Sequence, residues 1–579
     1  MRYLMSVSIG PVQDFIAASR KTRDLWFGSE LLCQLCREAA KALNAGDSQL
    51  VFPPERCVGD QSSSVANKLL VLVETESPAD LAESARTAAQ TVLTQYWTDI
   101  SAKHKGIIPK DRITLGQNQI DEFLEFYAAW WPCESDLDYA EVRLEVERLL
   151  AGRKALRDFR PTNGLAGVPK SSLDGGREAV IEAREGVADL DRLSKLGIKC
   201  GELLDAISLI KRLGETKRFV SVSRVAADPF IRKLGPASLN ELGEAAKKLE
   251  GTDAVHRFDV SNDFPQYKAF PCDTQLFFSQ IVDDEVLDSA EKKAAADFAD
   301  ALSSARERDK LREPYPYFAV LAADGDRMGA TIGDLKSPKL HIELSENLDK
   351  FASAAKRIVQ DNSGVMIYCG GDDVLALLPI DTAIGCSQML RDAFQQHVGD
   401  FAGQHKTDHN PTLSCGISIA HFGASLQELL KWARDAEKAA KTSGRNRLAV
   451  HLHTRTAGEE SVDSVRQWGT VASMTLLEYW NRLVELQAED RIPDGAIYEL
   501  RTLAREFNFE GADTDILAKE VQRVMGRKRT QGGTKPIDET VITELAEMAG
   551  RSAENLEDFV KELLIARRIA AAKPQKEVK

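Results

Sequence analysis

Val365-Met366-Ile367-Tyr368-Cys369-Gly370-Gly371-Asp372-Asp373-Val374-Leu375-Ala376-Leu377-Leu378 joins two short apolar runs of β type through two glycines and two adjacent aspartates. It reads as a hairpin with acid at its tip. Glycine tolerates positive φ and lets a phosphate approach the backbone, so a Gly-Gly pair at such a turn suits a nucleotide site. Adjacent carboxylates repel each other, and a divalent cation relieves that repulsion. Mg²⁺ prefers hard oxygen ligands, usually one or two carboxylates, and completes its shell with water and substrate phosphate. An ordinary Gly/Asp turn satisfies the same residues.

A second acidic strand end lies upstream. Tyr317-Phe318-Ala319-Val320-Leu321-Ala322-Ala323 is an apolar run of buried-strand length, and it ends in Asp324-Gly325-Asp326. A helical pattern follows, with Leu348, Phe351, Ala355 and Ile358 on one face, and leads back to the hairpin. If the first strand lies beside the hairpin, Asp324, Asp372 and Asp373 converge on one ion-sized space. Metal-dependent nucleotidyl transfer requires that arrangement, with ions holding the attacking and leaving oxygens roughly 4 Å apart.

These residues resemble the palm domain shared by GGDEF diguanylate cyclases and the polymerase/cyclase-like large subunit of type III CRISPR effector complexes. Ser414-Cys415-Gly416-Ile417-Ser418-Ile419-Ala420 is similar to the strand after the palm hairpin. The run from Leu426 to Asn446, ending Ala440-Lys441-Thr442-Ser443-Gly444-Arg445-Asn446, is similar to the helix and turn that follow it. Two N-terminal stretches closely resemble the opening of the Cmr-type (type III-B) large subunit: Ser8-Ile9-Gly10-Pro11-Val12-Gln13-Asp14-Phe15-Ile16, and Asp24-Leu25-Trp26-Phe27-Gly28-Ser29-Glu30-Leu31-Leu32. A GGDEF enzyme would not carry them, and it has Glu where this chain has Asp373.

The fold this implies is α+β, with two ferredoxin-like palm domains, a helical linker domain and a C-terminal helical domain. The expected boundaries are 1–135 for a first palm without metal acids, 136–314 for the linker, 315–455 for the palm bearing Gly-Gly-Asp-Asp, and 456–579 for the last helices. The first half echoes the second, with a strand from Arg2 to Ile9, helices from Val12 to Asn44, and strands at Leu50-Val51-Phe52 and Lys68 to Val73. Its connection has Gly59-Asp60 but no acidic pair. The linker pattern is broken by Pro161-Thr162-Asn163-Gly164 and Gly175-Gly176, and the chain frays after Lys573.

Composition narrows the classes. The 579 residues are enough for several domains, and a 43% hydrophobic content supplies their cores. No signal peptide or bilayer-length apolar run is present, so a cytoplasmic location is expected, with no membrane partner. The net charge of −14 argues against a free-standing nucleic-acid binder, although a ribonucleoprotein subunit can be acidic overall. Arg20-Lys21-Thr22-Arg23 and Arg527-Lys528-Arg529 read as solvated faces. The nine cysteines are scattered, and Cys33-x-x-Cys36 lies in a helical pattern without a second pair. Members of the family often bind structural zinc in the linker. Here Cys200 stands alone and no zinc is expected.

The resemblance implies a site and a reaction. Asp372 and Asp373 would be catalytic, and Asp324, Gly325, Asp372 and Asp373 would hold Mg²⁺ or Mn²⁺. Gly370, Gly371, Asp326, Ser414, Lys441 and Arg445 would bind nucleotide, with Lys441 on the triphosphate. A solvated lysine at a helix end fits Lys441 as well. His421 reads as a strand-end histidine outside the site. The implied activity is nucleotidyl transfer from ATP to make an oligoadenylate second messenger when guide RNA pairs with target RNA. The implied partners are the other Cmr-type subunits, guide RNA, target RNA and ATP. Transfer of AMP to another small molecule, or a non-catalytic scaffold, remains open. Many large subunits of this family carry an N-terminal nuclease domain marked by a His-Asp pair. None of the nine histidines here is followed by Asp, so that activity is not expected.

Overall fold

The computed structural model describes all residues except 61–62, 157–164, 187, 215–218, 251–254, 261–263, 279–288, 456–460, 507–513, 531–534, 553–555 and 574–579. The expected break at Pro161-Thr162-Asn163-Gly164 and the fraying tail beyond Lys573 lie outside the described residues.

Two sheets of the same design organise the chain. The first is antiparallel and has four strands in the spatial order Gln49–Phe52, Lys68–Glu74, Arg2–Gly10, Glu125–Pro132. Numbered along the chain this is 2-3-1-4, the ferredoxin-like arrangement. Arg2–Gly10 is buried on both faces, which is why it reads as a continuous apolar run rather than an alternating one. Its period of two still divides the work. Met5, Val7 and Ile9 face the helices Thr22–Leu43 and Pro78–Lys103, while Leu4, with Leu70 and Leu72, packs under Tyr139, Val142 and Val146 of the helix Tyr139–Ala155. That helix thus covers the first sheet, although it lies beyond residue 135.

The second sheet repeats the order 2-3-1-4 with Val365–Gly370, Asp373–Pro379, Tyr317–Asp326 and Thr412–His421. Arg447–Leu452 joins parallel to Thr412–His421, and Val462–Gln467 closes the edge as a sixth strand. Sequence reasoning read helix after residue 454. The reason for a strand here is that Ser464 and Arg466 bind a carboxylate from the last helix: buried Glu562 accepts hydrogen bonds from Ser464 Oγ at 2.8 Å, Arg466 Nε at 2.6 Å and the Tyr479 hydroxyl at 2.5 Å. Among the described residues five helices follow, from Leu476–Ala488 to Leu556–Ala572.

Parity along Tyr317–Asp326 fixes how the two palms meet. Ala319, Leu321 and Ala323 face the second palm's own helices, whereas Phe318, Val320 and Ala322 belong to the core shared with the first palm and the linker. The linker is anchored by charge. Arg212, fully buried on the helix Ala206–Leu213, donates to both carboxylate oxygens of Asp24 at 2.6 and 2.8 Å and to Glu202 at 2.9 Å. The start of the helix Thr22–Leu43 and the linker helix Ala206–Leu213 are thereby one ion-paired joint. No helix among the described residues is long and apolar enough to cross a membrane.

Candidate active site

The hairpin turn is only two residues, Gly371 and Asp372, because Gly370 pairs with Asp373. Gly371 sits at φ +79°, the left-handed region that favours glycine in such turns. The adjacent strand brings the other acid. Ala323 pairs with Val374, so one step further Asp324 and Asp373 stand opposite each other. They lie on the face of the sheet shared by Ala322 and Leu375, toward the first palm. Asp372 lies behind them against Gly325, where a β-carbon would come within 2.7 Å of Asp372 Oδ2.

Asp324 and Asp373 open onto a cavity of about 430 Å³. Its far wall is Val12, Gln13 and Ile16 of the first palm, and its side is the polar face of the helix Leu426–Thr442, with Arg434, Glu437 and Lys441. Lys441 Nζ makes an ion pair with Asp324 and another with Glu437, the latter at 3.0 Å. Burial pushes the Asp372 carboxyl up to about 7, and the nearby Asp373 charge adds to the effect. Burial also pushes Asp373 up to about 6, opposed by Arg434. Glu437 is raised to about 7 by burial and then by Asp373 and Asp326. Burial is the main cause for all three carboxyls.

The expected tight convergence of three acids on one point is not what the side chains do. Among the described residues no three His, Cys, Asp or Glu side chains are drawn together as metal ligands; Asp372 lies against Gly325, behind Asp324 and Asp373, and Lys441 pairs with Asp324. The donor chemistry nevertheless fits a hard divalent cation. It offers carboxylate oxygens and an ammonium standing where a cation is attracted.

Two residues expected to touch nucleotide are placed otherwise. Asp326 is buried and accepts from Thr412 Oγ1 at 2.7 Å, Ser414 Oγ at 2.8 Å and the backbone N–H of Asn446 at 3.0 Å. Asp326 and Ser414 are therefore each other's partners, and they tie the turn Gly444-Arg445-Asn446 to the strand end. Arg445 is exposed on that turn at φ +64°. Gly370 has the Tyr368 phenol folded over it. His421 sits at the far end of its strand, edge-on to Tyr317 and stacked on Phe422, away from the cavity. Arg434 and Glu437 escaped the sequence reading. Their spacing from Lys441, seven and four residues, marks one helix face and could have revealed them. Gln13 could not have been found, since its place in the cavity depends on how the palms dock.

Two ferredoxin-like palms face each other, and the paired acids Asp372 and Asp373 lie at the hairpin tip of the second. The comparisons are specific. Residues 317–449 match the model of the Cas10/Cmr2 second palm domain, and residues 4–101 match that of the CRISPR-associated protein Cmr2 N-terminal domain. The CRISPR system Cmr subunit Cmr2 of Pyrococcus furiosus is 24% identical, over 94% of this chain and 71% of that protein. The type III-B Cmr-beta complex supplies structures of the same fold. Its apo state gives a TM-score of 0.62 and its form bound to cognate target RNA 0.64, each at 13% identity, covering 99% and 98% of this chain and 82% and 83% of those chains. The second-palm and N-terminal matches, with a Cmr2 relative aligned over most of the chain, support a large subunit of the type III-B kind.

Proposed function

We propose that the cavity between the palms transfers a nucleotidyl group from ATP, building an oligoadenylate when the complex's guide RNA is paired with target RNA. The observation that carries this reading is the opposition of Asp324 and Asp373 at the mouth of a cavity whose other walls are Lys441 and the first palm. Asp324 and Asp373, with Asp372 beside Gly325, would hold Mg²⁺ or Mn²⁺, which supplies charge at the α-phosphate and lowers the pKa of the attacking 3′-hydroxyl when bound. Lys441 would exchange its hold on Asp324 for the triphosphate, and a compact ammonium suits that exchange. Val12 and Ile16 offer an apolar surface to a base. The second palm alone would leave the cavity open to water, so docking of the first supplies both enclosure and the alignment of two nucleotides.

The test is mass spectrometry of products after the assembled complex is incubated with ATP and Mg²⁺, with and without target RNA. Target-dependent oligoadenylate from the wild type, lost in Asp372→Asn/Asp373→Asn with assembly intact, is the expected result. Undiminished product from a well-folded double variant overturns the assignment, and an AMP conjugate of another small molecule would redirect the acceptor.

A further inference from the structure

A second site lies outside the cavity just described. Arg20-Lys21-Thr22-Arg23 does not form the solvated face that its sequence suggests. Lys21 Nζ donates to the carbonyl of Gly197 at 2.6 Å, and Arg20 to that of Ser172 at 2.9 Å. These contacts bring the start of the helix Thr22–Leu43 up against the linker, and two adjoining cavities of about 780 and 620 Å³ open there. They share Arg23, Lys195, His256 and Arg257 in their walls.

The charge of this trough runs against that of the chain. Among the described residues its walls carry seven Lys or Arg and three Asp or Glu, in a protein of net charge −14. The cations come from four separate segments: Arg20, Lys21 and Arg23, Lys103 at the end of Pro78–Lys103, Lys195 and Lys199, and Arg257. Of the acids, Glu250 is already paired with Arg257 at 3.0 Å, and Asp273 is deep enough that burial pushes its carboxyl up to about 6. Lys195 and Lys199 are exposed and make no ion pair among the described residues. Converging cations from distant segments are costly to hold together unless an anion repays the repulsion.

Planar groups sit in the same walls. The rings of Phe219 and His256 stack at 4.5 Å with an interplanar angle of 10°, and the Arg23 guanidinium lies 5.5 Å from the Phe219 centroid. His256 Nε2 has no hydrogen-bond partner among the described residues. Lysines spaced along a groove beside stacked aromatic and guanidinium planes are the means by which single strands are held, phosphates on the cations and bases on the rings. Cavities of this volume fit separate nucleotides, not the width of a duplex.

We propose that this trough binds a single-stranded segment of RNA, with Lys195 and Lys199 on its phosphates and the Phe219–His256 stack against a base. The site shares no wall residue with the cavity at Asp324 and Asp373, and it stands whether or not that cavity transfers nucleotides.

The experiment is fluorescence anisotropy of the purified full chain with a fluorescein-labelled, unstructured RNA oligonucleotide, repeated across a salt series. The expected result is that Lys195→Glu/Lys199→Glu weakens binding about tenfold or more and flattens the logarithmic salt slope by about 1 to 1.5. Phe219→Ala should weaken binding without changing the slope. Lys292→Glu/Lys293→Glu, an equal charge change on the exposed face of the helix Ser289–Asp309, should leave affinity within about twofold of wild type. All variants should melt with the wild type by circular dichroism. The proposal is overturned if the wild-type chain binds no RNA at low salt, if the two double variants behave alike, or if DNA of the same sequence binds equally. It is also overturned if polyglutamate displaces RNA while Phe219→Ala has no effect, since the trough would then dock an acidic protein segment.

Discussion

The Tyr139 hydroxyl meets Nδ1 of His341 at 2.6 Å, and with that contact the helix covering the first sheet is joined to the helix that leads into the acidic hairpin. Both residues are buried, and burial holds the imidazole down to about 3, with Arg143 and Lys68 adding to the effect. The unfolded chain therefore takes up a proton near pH 6.5 that the folded chain refuses. The stability from this group is complete above pH 6.5 and is lost as pH falls toward 3, at up to about 1.4 kcal/mol per pH unit. Urea melts at pH 7.5 and 5.5 should show a larger loss for the wild type than for His341→Phe. Equal losses would mean that the histidine is not buried in the neutral form.

Lys441 and Asp324 are both partly exposed, at 27% and 33%, so their pair adds little to folding, about 1 kcal/mol or less. If it serves the triphosphate, Lys441→Ala should leave the melting temperature almost unchanged while raising the KM for ATP about tenfold or more. Steady-state kinetics of the target-bound complex measure the effect, and a change confined to kcat would argue against triphosphate binding.

Buried and exposed ion pairs should separate sharply. Asp24→Asn strips a fully buried guanidinium of one of its two carboxylate partners and should cost about 3 kcal/mol or more. Arg56 pairs with Asp349 at 2.5 Å across the two palms, but its own side chain is 52% exposed, and Arg56→Ala should cost under about 1 kcal/mol. Denaturant melts of the two variants decide it, and similar values would contradict the burial argument.

Two glycines near the site should respond differently to alanine. At Gly325 the added methyl would meet Asp372 Oδ2 and Met328 Cγ, side-chain atoms that can move. Gly325→Ala should therefore fold, at a cost of about 1 to 2 kcal/mol, while product formation falls with the displaced aspartate. At Gly416 the methyl would run into the backbone of Glu437, which cannot yield without moving the helix that carries Lys441. Gly416→Ala should cost about 3 kcal/mol or more. Thermal melts paired with product assays distinguish the two, and an inactive, fully stable Gly416→Ala would refute the packing argument.

The apolar runs Tyr317 to Ala323 and Val365 to Leu378, with the Gly-Gly turn and the acids after each strand, determined the second palm locally. Strand length and turn chemistry act over a few residues, and they placed Asp324, Asp372 and Asp373 at one end of one sheet. The first palm was legible for the same reason. The helix Tyr139–Ala155 was read as linker and the strand Val462–Gln467 as helix, because their partners, Leu72 and Glu562, are remote in the chain. Only the tertiary structure decided that Asp326 turns inward to Ser414 and Asn446, that Gln13 faces Asp373 across the docked palms, and that Arg23 and Lys195 share a cavity wall. These are contacts between segments whose spacing along the chain carries no period, and the physical cause of each is the docking of whole elements rather than any local preference.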